Sequence, residues 1–376
     1  MTRKSDATKP ARGVSRRRFV RTAAAGAAAA MTAGSIPTKV FAQTKKSITF
    51  TLSWIPNGGS TFVNVADAKG FFTKRGIDVK VSRGFGSVAS AQAIAQGKYD
   101  FGISAAPTSY LQVVKGMKLA HLACCSYSPA MGVGFLRSSG IAKPKDLEGR
   151  KMGSVVASGE FPFLPAFGER AGFDFSKVKV VQVDNKIRTG VLLSKQVDCI
   201  SCFAASVAPD VKTRGFDVGW FLYDNFGMPF YGYMLITQPT MLARDKGLCE
   251  AVAEALTEGV MYTMMHPEEA LDIFIKQVPE AGLTKAKRET LAIELGLFAH
   301  INLKPEAIAR GMGSIDMANY KSMAELIMKA EAKPGDVAPA LDSMLHLDLI
   351  EGKFKFSPAE LAKVEAYARG FAGVLA

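Results

Sequence analysis

The sequence predicts an α/β protein of two lobes, with a ligand cleft between them and a helical C-terminal extension on the first lobe. Three observations carry this reading. Short β-rich runs alternate with amphipathic segments between residues 46 and 237. The strand–loop–helix–strand order of 46–104 repeats in 152–202. Beyond Thr237 the apolar periodicity turns almost wholly helical.

In the first lobe, Ile48–Leu52 reads as a strand broken by Trp54, Pro56, Asn57, Gly58 and Gly59. A helical apolar face from Phe62 to Phe71 stops at Gly70 and Gly76, and Ile77–Val81 is a second strand. Gly84-Phe85-Gly86-Ser87 is a loop into the helix Val88–Ala95, and Tyr99–Ile103 a third strand. The loop is too short for a phosphate loop and lacks its Lys. Ala105–Thr108 reads as a loop, Ser109–Lys115 as a helix, and Leu119–Cys125 as a strand ending in the polar-aromatic Ser126-Tyr127-Ser128-Pro129.

Val133–Arg137 is expected to cross to the second lobe and Tyr233–Thr237 to return. Between them lie strands Met152–Val156, Val178–Val183, Val197–Cys202 and Val218–Leu222, with helices from about Pro162, Thr189 and Val207. The expected parts are 1–42 as a signal segment, 43–137 with 234–376 as lobe 1, and 138–233 as lobe 2. Ordinary parallel sheets are expected, and ligands bind beyond the carboxyl ends of such strands. The extension should run as helices Pro239–Arg244, Leu248–Met265, Pro267–Val278, Lys285–Phe298, Pro305–Arg310, Met317–Ala330, Asp336–Leu345 and Pro358–Phe371, packed on lobe 1.

Charge is unevenly spread. Residues 1–42 hold nine Lys/Arg and one acid, against 38 Lys/Arg and 33 acids in the remainder. The basic balance is therefore mostly terminal, and no basic run with interleaved aromatics argues for nucleic acid. Ser15-Arg16-Arg17-Arg18-Phe19-Val20 is a twin-arginine pattern, followed by the mildly apolar Thr22–Ala33 and a small-residue cleavage site at Val40-Phe41-Ala42. The apolar stretch is short of the roughly 20 residues that a bilayer span takes. The expectation is passage through the twin-arginine translocase and a mature, monomeric periplasmic chain from Gln43.

The five cysteines are Cys124, Cys125, Cys199, Cys202 and Cys249. Cys199 and Cys202 have CxxC spacing, which leaves open a redox pair, but both lie in an apolar β-like run where Cys acts as a small hydrophobe. The four His are scattered and complete no metal set, and neither a phosphate loop nor a Ser-His-Asp pattern stands out. No cofactor is expected.

Candidate ligand contacts come from the strand-end loops. Trp54 offers a stacking wall, or else a hydrophobic plug. Asn57 can orient a polar ring edge, or simply serve the turn. Ser87 and Ser104 offer hydroxyls, though Ser87 also fits a helix cap. Tyr127, Phe161 and Tyr231 add aromatic surface. Ser158, Glu160, Asn185, Cys202 and Asp224 end strands of the second lobe. Glu160 also sits near a helix start, where a carboxylate is favoured without any ligand. Arg83 and Lys186 are nearby but are expected to face solvent. With acids and aromatics outnumbering cations, a flat neutral or weakly basic heteroaromatic suits this mouth better than an anion.

Several segments together resemble the substrate-binding proteins of nitrate, sulfonate, taurine and thiamine-pyrimidine importers, the thiamine-pyrimidine-synthase-like family. They are Leu52–Asn57, Ala68–Phe72 with Gly76–Val79, Gln92–Gly102, Lys143–Gly153 and Phe226–Gly232, and the resemblance covers nearly all of 46–350. It implies a type II periplasmic-binding-protein fold, two α/β lobes joined by two crossing strands. It further implies delivery of the ligand to an ABC permease with its ATPase. Thiamine-type pyrimidines are the leading guest it suggests; a small anion, or a sensory role, is the alternative. Some eukaryotic relatives make the thiamine pyrimidine with a run of cysteines. Here Cys124-Cys125 lacks the following Cys-Phe-Gly, so catalysis is not expected.

Overall fold

The computed structural model describes residues 45–376, and the twin-arginine and cleavage-site readings lie outside them. The strands in chain order are β1 (Lys46–Thr51), β2 (Ile77–Ser82), β3 (Phe101–Ala105), β4 (Ala120–Cys124), β5 (Met131–Leu136), β6 (Lys151–Ser154), β7 (Lys179–Gln182), β8 (Cys199–Phe203), β9 (Val218–Leu222) and β10 (Tyr233–Thr237). Among the described residues they form two five-stranded sheets, ordered β2-β1-β3-β10-β4 and β7-β6-β8-β5-β9. Helices flank both, giving the two-lobe α/β architecture of a type II periplasmic-binding-protein fold.

The sheets are mixed rather than parallel. β10 runs antiparallel to β3 and β4, and β5 antiparallel to β8 and β9. Each of these strands enters its sheet from the other lobe, so no helical crossover fixes its direction as it does for β1–β3 and β6–β8. The two expected crossing strands therefore each belong wholly to one sheet. Met131–Leu136 lies in the second and Tyr233–Thr237 in the first, and the crossings are the segments 125–130 and 223–232.

Two further differences have local causes. The expected loop at Ala105–Thr108 is already helical, because Pro107 sits in the first turn of the helix Ala106–Val114, where its missing N–H costs nothing. The expected helix Asp336–Leu345 shrinks to Leu341–Met344. Pro339 disfavours the helical conformation in Ala338, the residue before it.

The extension packs on the first lobe through Phe62, whose ring stacks on Phe298 with centroids 5.7 Å apart. It also reaches the second lobe: Thr290, on the helix Lys285–Asn302, shares a 2.7 Å hydrogen bond with Thr213. All five cysteines are buried and free. Cys199 and Cys202 both lie on β8 three residues apart, so their side chains point to opposite faces of one sheet.

Candidate functional site

The lobes meet along a seam. The Val88 N–H donates to the Ala157 carbonyl at 3.1 Å, and Thr108 Oγ1 to the Gly159 carbonyl at 3.0 Å. Beside this seam lies a cleft of about 1060 Å³, walled by Trp54–Asn57 and Arg83 of the first lobe, 185–191 of the second, and residues of the extension between Phe274 and Glu294.

The first wall is the loop after β1. The Gly84 N–H donates to the Trp54 carbonyl (2.9 Å) and the Gly86 N–H to the Ser53 carbonyl (2.7 Å), which clamp this loop to the one after β2. Gly84 is required there, since a Cβ would overlap the Leu52 carbonyl. The clamp presents Trp54 to the cleft, with the residue only 8% exposed. Asn57 follows on the same wall.

The second wall carries the charges. Glu160 is fully buried at the end of the loop after β6. Its carboxylate accepts from Ser158 Oγ and from Ser201 Oγ (3.1 Å). The Tyr223 hydroxyl donates to its backbone carbonyl at 3.1 Å. Arg188 opens the short helix Arg188–Leu193 and is 3% exposed. Its guanidinium lies 4.8 Å over the Trp54 ring and 3.6 Å from Glu160. Nη1 is buried with no hydrogen-bond acceptor among the described residues. This is a cation–π contact and an ion pair in one stack, Trp54–Arg188–Glu160, built from both lobes.

A third side chain comes from the extension. Glu294 lines the cleft, and its Oε2 accepts from the Gly58 N–H at 2.5 Å. Burial pushes its carboxyl up to about 7, against the pull of the Gly58 N–H and with Asp210 adding to the rise. A Cβ on Gly58 would overlap the Glu294 side chain, so glycine is what lets the helix approach the loop.

Of the residues singled out in the sequence, Trp54, Asn57 and Asn185 line the cleft, while Ser158 and Glu160 sit behind its wall, with Glu160 against Arg188. Cys202 lies buried next to this pair, its thiol pushed up to about 12 by burial. Ser87 and Ser104 have inward partners: Ser104 Oγ donates to the Ser87 carbonyl, and Ser87 Oγ accepts from the Ala105 N–H. Phe161 packs against the core. Arg83 departs from the solvent expectation, since it lines the cleft with its guanidinium over Phe85 at 4.5 Å, while Lys186 is exposed at the rim.

Tyr127, Tyr231 and Asp224 are not among the residues lining this cleft. The Tyr127 hydroxyl donates to the Ser314 carbonyl (2.8 Å) and accepts from the Gly313 N–H (3.0 Å). Tyr231 stacks on Tyr320 and accepts from the Asp316 N–H. Asp224 is exposed near Ser128, which donates to it at 3.4 Å. Tyr127→Phe should therefore cost about 1–3 kcal/mol of stability, because two buried backbone groups lose their partner. Ligand affinity should stay unchanged. Urea unfolding beside calorimetry checks both, and a selective loss of affinity would return Tyr127 to the site.

Two site residues escaped the sequence reading. Arg188 reads as a solvated charge at a helix start. Glu294 gave a usable signal, since it falls three residues after Leu291 and four before Phe298, on the buried stripe of its helix.

Residues 57–270 match the family described as NMT1/THI5 like. The formylaminopyrimidine-binding protein of Halalkalibacterium halodurans is 25% identical over 248 residues, covering 65% of this chain and 75% of that protein. The 4-amino-5-hydroxymethyl-2-methylpyrimidine phosphate synthase of Legionella pneumophila is 22% identical over 239 residues, 63% of this chain and 75% of that one. Among solved structures, the alkanesulfonate-binding protein SsuA of Xanthomonas axonopodis pv. citri, bound to MOPS, superposes with a TM-score of 0.59 at 12% identity, covering 78% of this chain and 96% of that one.

Proposed function

The chain belongs to the NMT1/THI5-like family, and from that premise we propose that it is an exported solute-binding protein that captures an amino-substituted heteroaromatic ring, a thiamine-type pyrimidine, and hands it to an ABC permease with its ATPase. The observation that carries this is the stack of Trp54 on Arg188, with the Arg188 Nη1 buried and lacking an acceptor. Nη1 is the atom that lies 3.6 Å from the Glu160 carboxylate, so its charge is paired while its N–H makes no hydrogen bond, and a buried donor left so costs free energy. A planar guest extending the stack relieves that cost by offering a ring nitrogen or carbonyl to Nη1. Its amino group then finds acceptors in the Glu294 carboxyl and in the side chains of Asn57 and Asn185, which line the cleft. The relative named as a formylaminopyrimidine-binding protein supports this choice of ring.

Binding rather than turnover is favoured by the cysteines. Cys124 and Cys125 are buried in the first lobe's core, and burial pushes the Cys125 thiol up to about 12, away from the nucleophilic thiolate. The proposed setting is the periplasm, reached through the twin-arginine pattern of 15–20. No helix among the described residues is long and apolar enough to cross a membrane.

A second reading has one observation behind it. Arg83, Lys186 and Arg188 all line the cleft, so the expectation of a cation-poor mouth falls, and a sulfonate or carboxylate becomes a real competitor. Glu160 pairs with Arg188, and Lys186 is exposed at the rim, which leaves the neutral ring ahead. Calorimetric titration of the folded chain with aminopyrimidines, taurine, nitrate and an aromatic carboxylate separates the two. Saturable binding of the aminopyrimidine, lost in Trp54→Ala, is expected. Tight binding of an anion with no response to any heteroaromatic overturns the proposal.

A further inference from the structure

The helical extension holds the second lobe as well as the first. Its helix Lys285–Asn302 packs against the short helix Ala208–Thr213, and the Thr213 and Thr290 hydroxyls share a 2.7 Å hydrogen bond across that contact. The two helices are anchored to different lobes. Val207 and Val211 sit in an apolar cluster made wholly of residues from the second sheet and its helices, while Phe298 stacks on Phe62 of the first lobe. A strap adds to the contact. Phe371 lies against Gly296, where an added Cβ would come within 2.2 Å of the ring, so glycine is what seats it. The turn Ala372–Leu375 then reaches the helix Ala208–Thr213, and the Ala376 carbonyl accepts from Arg137, just past β5, at 3.4 Å. A separation of the lobes breaks all of these contacts to the second lobe.

We propose that this contact is a latch, made when the lobes close and broken when they part, and that it sets how long the closed form holds its guest. A contact present in only one of two states favours that state by its own free energy. Its chemistry suits repeated use, since both hydroxyls are only partly buried and return to water on opening. The seam at Val88 and Thr108 joins the lobes directly, whereas the latch joins them through the extension, so the two can be weakened separately. Contacts of the closed, loaded form act on dissociation rather than on association. The inference rests on the reading that the cleft captures its guest by closing, and adds the element that governs release.

Thr213→Val removes the shared hydrogen bond at nearly constant shape, and Thr213 is not among the residues lining the cleft. Gly296→Ala unseats Phe371. Dissociation of an aminopyrimidine, followed by stopped-flow fluorescence, should be about fivefold faster in Thr213→Val than in the wild-type chain, with association unchanged. Gly296→Ala should act in the same direction, and Thr213→Val decides the matter if Gly296→Ala does not fold. A second readout needs no guest. The Val88 N–H bonds across the seam to the Ala157 carbonyl, so its hydrogen exchange reports the parting of the lobes. In the ligand-free Thr213→Val chain that exchange should also be about fivefold faster. Unchanged dissociation or unchanged Val88 exchange would mean a passive brace and overturns the inference, as does slower association with dissociation unchanged. If the aminopyrimidine does not bind the wild-type chain, the heteroaromatic reading falls, and Val88 exchange by itself still decides the latch.

Discussion

Arg188→Ala is expected to lower the stability of the folded chain by about 3–5 kcal/mol, since it strands a buried carboxylate without its counter-charge. Glu160 is fully buried, and the guanidinium 3.6 Å away is the cation that faces it. The two hydroxyls on Glu160, from Ser158 and Ser201, hydrogen-bond to the carboxylate but do not neutralise it. The same substitution removes the stack on Trp54 and the donor Nη1, so binding of the aminopyrimidine should fall below detection. Arg188→Lys should fall between, keeping a charge but not the planar face. Urea unfolding followed by the fluorescence of the chain's two tryptophans measures the first effect, and calorimetry the second. An unchanged unfolding midpoint with retained affinity would mean that the pair is solvated in solution and that the site lies elsewhere.

Gly86→Ala should leave each lobe folded and cost ligand affinity about 100-fold or more, because it acts on the contact between lobes. Gly86 has φ +130°, which an L-residue with a Cβ rarely adopts, and an added Cβ there would overlap the Ala157 carbonyl of the other lobe. The neighbouring Val88 N–H to Ala157 carbonyl bond would be lost with it. The lobes must then stay apart or rebuild the seam. Small-angle scattering should show no ligand-dependent contraction in the variant, where the parent chain contracts. Equal contraction and equal affinity in both chains would show that the seam is not needed for capture.

These effects fall on residues of very different legibility. The strands were readable because each lobe repeats a local pattern, and strand ends pointed to Trp54, Asn57, Glu160 and Asn185. Ser87 and Ser104 failed as free hydroxyls for a simple reason: a buried hydroxyl takes a nearby backbone partner, as Ser104 does with Ser87, while Ser158 is taken by the Glu160 carboxylate. Tyr127 and Tyr231 looked like cleft aromatics because their true partners, Gly313, Ser314, Asp316 and Tyr320, lie in an extension whose docking leaves no local trace. Arg188 was hidden for the same cause. Its burial is set by Trp54 and Glu160, distant in sequence, and nothing in the run Lys186-Ile187-Arg188 distinguishes it from the exposed Lys186. Glu294 was the missed opportunity, a carboxylate placed on an otherwise apolar helix stripe.

The most direct measurement is the mass of whatever small molecule is released when the protein, purified from its own cell, is denatured. The account predicts a nitrogen heteroaromatic bearing an amino group, and its stoichiometry with the chain should drop in Trp54→Ala and Arg188→Ala. Release of a sulfonate, or of another anion without a ring, would contradict it.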